Sequence, residues 1–121
     1  MKVPAQHPQE IEVWYILPAI RKELVSALKE KGKSQKDIAK LLNITEAAVS
    51  QYVSEKRAKE IIFPQEVKDF IHKTVSEIKD ATSAFHQIQR INEFIKKSKA
   101  LCQLHAQIEG NLKGCDVCYK K

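Results

Sequence analysis

The sequence has few residues that interrupt helices, with three glycines and four prolines in 121 residues. Helices are therefore easier to place than a β fold with many turns, and we expect an all-α protein. Long apolar runs are absent as well. The longest, Val13–Ile20, is too short to cross a bilayer, and acidic rather than basic residues precede it. These features argue against a membrane span and an export signal, so we expect a cytoplasmic protein.

Acidic residues are fewer than basic ones, 15 against 21, which gives a net charge of +6. The basic excess lies in two blocks. Residues 20–60 contain ten basic and six acidic side chains, and residues 87–121 contain seven and three. A basic excess of this kind favours a polyanionic partner such as nucleic acid. The length allows one compact domain with a modest appendage.

The apolar pattern divides the chain into three parts. Residues 1–17 form an N-terminal arm that ends in a short apolar segment. A domain at 18–80 follows, in which Pro18 is suited to be the first residue of a helix and Gly32 ends that helix. Residues 84–121 contain a long helix and a short cysteine-rich tail.

The most specific pattern is the one in residues 34–57, which predict two short helices joined by a tight turn. Ser34 and Thr45 are suited to cap their first turns. Ala39 is small enough to allow a close approach of the helices, and Asn43 tolerates the left-handed conformation that such a turn needs. The predicted inward apolar residues are Ile44, Val49 and Tyr52. This spacing predicts a helix-turn-helix.

Residues 35–52, QKDIAKLLNITEAAVSQY, resemble the Cro and phage-repressor superfamily of helix-turn-helix regulators. The resemblance extends to the preceding helix, Pro18–Lys31, and to a following one, so it covers about half of the chain. With Trp14–Arg21 in front and cysteines behind, the whole chain also resembles a group of uncharacterised archaeal predicted regulators. The first resemblance implies a sequence-specific DNA-binding transcriptional regulator whose helix 45–57 enters the major groove of double-stranded DNA.

The superfamily's pattern also implies which side chains contact DNA. The residues expected to read bases are Glu46, Ala47, Ser50, Gln51 and Ser54. The residues expected at phosphates are Gln35, Lys36, Thr45, Lys56 and Arg57. In the superfamily, the position of Gln35 either holds a phosphate or supports a base-reading residue. The chemistry suits these roles, since glutamine can bond both exposed edge atoms of adenine, alanine can contact the thymine methyl and glutamate can accept from cytosine N4.

The predicted reading helix departs from the usual pattern in one respect. It has no lysine or arginine before Lys56, so the commonest contact to guanine is missing. We expect weak binding by one such helix, and therefore a homodimer on two half-sites about one helical turn apart. Trp14, the only tryptophan, is expected in the core or at the dimer contact.

All three cysteines lie in the last twenty residues, together with a histidine. Cys102 and His105 are three residues apart on the long helix, which we place at about residues 84–108. Cys115 and Cys118 have the same separation in the tail. The pattern is a complete four-ligand set for a structural zinc ion. Two alternatives stay open: an iron–sulfur cluster that senses redox state or iron, and buried apolar cysteines with no metal.

A different class of function is also compatible with the pattern. The same helices could form an antitoxin-like or adaptor module that binds a protein partner and does not bind DNA by itself. We expect no enzyme, because the sequence shows no phosphate-binding loop and no nucleophile motif. A zinc site with four protein ligands would also lack the open position that catalysis needs.

Overall fold

The structure is a computed structural model that describes residues 10, 12–54, 61–98, 100, 104, 106 and 107. Within these residues it contains helices and no strand, as expected. The α-helices are α1 (Leu17–Glu30), α2 (Gln35–Leu42), α3 (Glu46–Val53), α4 (Gln65–Thr74) and α5 (Ala81–Lys97). A π-helical turn, Glu12–Ile16, leads into α1, and a 3-10 turn, Val75–Glu77, follows α4. None of the described helices is long and apolar enough to span a bilayer.

Helix α1 is the centre of the fold, because it packs against each of the other four helices. Its apolar side chains recur at helical spacing and are buried; the largest are Ile20, Leu24, Val25 and Leu28. Helices α2 and α3 pack on each other and on α1, whereas α4 packs mainly on α1 and α5. Helix α5 also contacts α2, so it reaches the side of the domain that contains the predicted helix-turn-helix.

The first helix begins before the position expected from Pro18. Leu17 is already helical, and Ile16 has right-handed helical angles, φ −75° and ψ −49°. A proline disfavours helical geometry in the residue before it. Burial opposes this preference, since Ile16 is fully buried and Leu17 packs against the core. Pro18 lies in the first turn, where a missing N–H removes no intrahelical hydrogen bond.

The long helix runs over Ala81–Lys97 rather than over about 84–108. It starts earlier because Asp80 caps it: the Asp80 carboxylate accepts from the Ser83 N–H at 2.7 Å, and Ser83 Oγ accepts from the Asp80 N–H at 3.0 Å. It ends at Lys97, and the backbone of Ser98, its C-cap, has left helical geometry with φ −83° and ψ 0°. Helical geometry recurs at Ala100 and Leu104, which are both buried.

The Asp80 cap gives the stability of α5 a predictable pH dependence. Hydrogen bonds from the backbone and the side chain of Ser83 hold the pKa of Asp80 below its ordinary value. The cap therefore stabilises the fold above the unfolded-state pKa, and this contribution is lost as the pH falls through the folded-state pKa. In Asp80→Asn the cap acceptor remains but does not titrate. We expect its melting temperature, followed by circular dichroism, to fall less than that of the wild type between about pH 5 and pH 2. Parallel profiles would contradict the assignment.

Candidate nucleic-acid interface

The two short helices α2 and α3 both begin with the caps that the sequence predicts. Ser34 Oγ accepts a hydrogen bond from the backbone N–H of Asp37 at 3.1 Å. Thr45 Oγ1 accepts one from the backbone N–H of Ala48 at 3.0 Å. Each bond satisfies a backbone donor of the first turn that has no intrahelical partner. The side chains thus fix where each helix begins.

The turn between α2 and α3 also has the predicted geometry. Asn43 is left-handed, with φ 54° and ψ 47°, which a short polar side chain tolerates. The Ile44 N–H donates to the carbonyl of Ala39 at 3.0 Å and closes the turn. Ala39 is 7% exposed, and Val49 and Tyr52 are buried against the same core. Helices α2 and α3, with the turn at Asn43 between them, therefore form a helix-turn-helix, as the spacing at 39, 43, 49 and 52 predicts.

The predicted base-reading residues share the opposite face of α3, because separations of three and four residues connect them. Four of them are exposed, namely Glu46, Ala47, Ser50 and Ser54. Gln51 is half-buried. Helix α3 itself is shorter than the predicted span of 45–57, since Val53 is its last residue. Ser54 is the C-cap, and its hydroxyl donates to the carbonyl of Gln51 at 3.3 Å. Ser54 thus lies at the end of the predicted base-reading face.

Among the residues expected at phosphates, Gln35 has a defined partner. Its Nε2 donates to the carbonyl of Glu46 at 2.9 Å, which joins the first residue of α2 to the first residue of α3. Of the two roles implied for Gln35, this bond is compatible with support of the predicted reading helix, and contact with a phosphate stays a prediction. Lys36 and Thr45 are exposed on the same two helix starts. Lys56 and Arg57 lie outside the described residues.

Two further basic residues lie beside α3, and the sequence analysis did not predict them as contacts. Lys22 and Lys29 of α1 line a cleft together with Tyr52 and Val53 of α3. They are seven residues apart and therefore on one face of α1. The sequence shows this spacing, but only the packing of α1 against α3 places the two lysines beside α3. These lysines, together with Glu30 of opposite charge in the same cleft, leave a net positive charge next to a helix whose only charged side chain is Glu46.

The predicted metal ligands Cys102, His105, Cys115 and Cys118 lie outside the described residues. Within the part of the chain that the structure describes, no group of histidine, cysteine and acidic side chains could hold a metal ion. Gln107 is described, and its side-chain amide pairs with the backbone of Ile62. Nε2 donates to the Ile62 carbonyl and Oε1 accepts from the Ile62 N–H, both at 2.8 Å. This pair joins the segment after α5 to the segment after α3.

The geometry defines a helix-turn-helix domain with an outward-facing second helix, the arrangement used for DNA binding. The Helix-turn-helix family matches residues 24–61, from within α1 to the segment after α3. The match includes all of residues 35–52 and confirms that part of the resemblance to the phage repressors. It supports DNA binding of the kind found in transcription regulators. No curated protein and no solved structure matches the chain significantly.

Proposed function

We propose that the protein is a sequence-specific transcriptional regulator that binds operator DNA as a dimer in the cytoplasm. The observation that carries this proposal is the division of α3 into two faces. Ala48, Val49 and Tyr52 are buried, which fixes the helix on the domain, while the base-reading residues share the outer face. A short helix fixed in this way can enter the major groove with its side chains at the base edges.

The start of α3 is held in place for base contacts. The Gln35 amide bonds the carbonyl of Glu46, and Thr45 caps the first turn. Glu46 and Ala47 are then the first side chains to enter the groove, with cytosine N4 and a thymine methyl as suitable partners. The carboxylate of Glu46 would be repelled by a phosphate, so it contributes specificity rather than affinity. Affinity must come from the lysines around α3.

Binding to selected DNA at several salt concentrations tests this function. Duplexes enriched from a randomised pool should bind with an affinity that falls steeply with salt, because each neutralised phosphate releases counterions. The alternative, an adaptor-like module for a protein partner, gives no enriched sequence and little affinity for DNA. Failure to enrich any sequence, together with no binding at low salt, would contradict the proposed function.

Lys36 provides a sharper prediction about phosphate contact. Lys36→Gln is expected to weaken binding to all duplexes alike and to reduce the slope of log affinity against log salt by about 0.9. Sequence preference should stay unchanged, since phosphates carry no base information. The control is Lys73→Gln, the same charge change on an exposed residue of α4. An equal change of slope in both variants would show a general charge effect instead of a contact at Lys36.

A dimer would compensate for the weak binding expected of one reading helix. The outer face of α3 has no basic side chain, and the described residues before α1 expose large apolar groups. Trp14 is 70% exposed and Val13 is 61% exposed, so Trp14 is not a core residue of the single chain. We assign it to the dimer contact. Sedimentation of the complex should give two chains per operator duplex, and one chain per duplex would contradict this assignment.

The C-terminal cysteines and histidine form a separate proposal, supported by their spacing. Cys102, His105, Cys115 and Cys118 would bind a zinc ion, with an iron–sulfur cluster as the alternative. Gln107 lies close to two of these residues in sequence and bonds Ile62, so the state of the site could influence the segment after α3. Metal and sulfide analysis of anaerobically purified protein is the test. About one zinc per chain without sulfide supports the zinc site. Iron with sulfide supports the iron–sulfur cluster. Protein that contains no metal contradicts both proposals.

A further inference from the structure

A cleft of about 650 Å³ lies between the start of α1, the end of α2 and residues 81–92 of α5. This volume is in the range of sites for small organic molecules. Apolar side chains make up much of its lining: Leu17, Leu41, Ile88 and Phe85. The first three are half-buried, whereas Phe85 is 61% exposed. The cleft includes none of the base-reading residues.

Arg21 gives the cleft a positive charge without a counter-charge. Its side chain lines the cleft and is half-buried, and its Nε is buried with no hydrogen-bond partner. Among the described residues, no carboxylate forms an ion pair with Arg21. A guanidinium that is partly removed from water without an acceptor is unfavourable. Because Nε itself is closed off from solvent, a ligand carboxylate would meet the other two nitrogens of the guanidinium and supply the missing charge there.

Asn92 is a second polar residue of the same cleft with an unmet hydrogen bond. Its Oδ1 is buried and has no donor. Buried polar atoms without partners are rare in native proteins, and here two of them belong to residues of one cleft. Both residues lie among apolar neighbours, so the cleft combines a few polar groups with an apolar lining. That combination is typical of a small-molecule site.

We propose that this cleft binds a small carboxylic acid with an aromatic or branched aliphatic body. The carboxylate lies on the Arg21 guanidinium, and the body packs between Leu41, Phe85 and Ile88. The cleft is also lined by Leu42 and Asn43, which form the end of α2 and the turn before α3. A bound acid therefore contacts the turn that orients the reading helix and acts as an effector of DNA binding. Its effect on DNA rests on the proposed function, but its binding does not.

Ligand titrations of the DNA-free protein, followed by amide chemical shifts, test the site. The probes are phenylacetate, indole-3-acetate and 4-methylpentanoate, each paired with its neutral primary amide, at up to about 10 mM. At least one acid should shift resonances of Leu41–Asn43 and Ile88–Asn92, and its neutral amide should bind about tenfold more weakly or not at all. Binding by none of the acids, or equal binding of acid and amide, would overturn the proposal.

Two variants connect the binding to the cleft. Arg21→Gln should lower the affinity for the acid by about tenfold and leave the affinity for the neutral amide unchanged. Arg90→Gln is the control, because Arg90 lies on α5 but pairs with Glu77 at 2.8 Å. Phe85→Ala removes an exposed side chain, so we expect the variant to fold. It should lower the affinity for the acid and for its amide by the same factor. Unchanged acid binding in both Arg21→Gln and Phe85→Ala would place the ligand elsewhere.

The effector role has its own test. An acid that binds the cleft should change the affinity for a selected duplex by about fivefold or more, and this change should vanish in Arg21→Gln. An acid that shifts the cleft resonances and leaves DNA affinity unchanged would overturn the effector role. Acid binding by a protein that fails to bind any DNA would overturn the proposed function and leave the cleft assignment standing.

Discussion

Replacing Ser50 and Gln51 together with alanine is expected to lower sharply the preference for a selected operator over unrelated duplex DNA. Both side chains lie on the outer face of α3, and Gln51 is suited to a bidentate contact with adenine. One such contact contributes about 1–3 kcal/mol of discrimination, so preference should fall by roughly ten- to a hundredfold. Competition binding against unrelated duplexes measures this loss.

Alanine favours helix, so the double variant should stay folded. A matched control replaces a glutamine and a serine outside the helix-turn-helix. Gln65 and Ser76 are both exposed, the first in α4 and the second in the following 3-10 turn. Gln65→Ala with Ser76→Ala should keep the wild-type preference. An intact preference in the Ser50 and Gln51 variant would mean that α3 is not the reader and that the base-reading residues are wrongly assigned.

Enlarging Ala39 is expected to separate α2 from α3 and to remove DNA binding. Ala39 is almost fully buried in the core that the two helices share, and its carbonyl accepts the bond that closes the turn. Extra carbon atoms in a packed core cost about 1–3 kcal/mol. Ala39→Leu should lower the free energy of unfolding, measured by urea denaturation, by this amount. It should also bind selected DNA weakly under conditions in which the protein remains folded, because α3 is displaced.

Ala39→Gly separates this steric effect from helix propensity. Glycine costs about 1 kcal/mol in a helix interior but adds no atoms between the helices. We therefore expect Ala39→Gly to lose stability and to keep the operator affinity of the wild type in its folded fraction. Equal loss of DNA binding in both variants would show that stability at this position, rather than the spacing of the helices, controls function.

Sequence reasoning was accurate at the helix-turn-helix because the deciding interactions there are local. The hydroxyls of Ser34 and Thr45 bond backbone groups three residues away, and the left-handed angles of Asn43 depend on its own side chain. These features follow from residue type and spacing alone. The buried positions of α3 follow in the same way from its apolar period.

Local rules were less accurate at the ends of the outer helices. The preference set by Pro18 is opposed by burial of Ile16, which depends on the rest of the fold. The early start of α5 requires Ser83 to act in the capping box, a position usually held by a longer acid or amide. The length of α5 is limited at Ser98, within an apolar pattern that continues beyond it.

The cleft could not be predicted from the sequence, because its walls come from distant parts of the chain. Arg21, Leu41 and Phe85 belong to three helices and are brought together only by the packing of α5 on α1 and α2. The unmet hydrogen-bonding capacity of Arg21 and Asn92 is likewise a property of the packed state. The same holds for Lys22 and Lys29 beside α3, whose position depends on how α1 meets that helix.

The most direct test of the account is to map amide chemical shifts while selected duplex DNA is added to the protein. We expect the largest changes at Gln35 and Lys36 at the start of α2, at the start of α3, and along the outer face of α3 as far as Ser54. Changes concentrated on α4 and α5, with α3 unaffected, would contradict the central claim that α3 reads DNA.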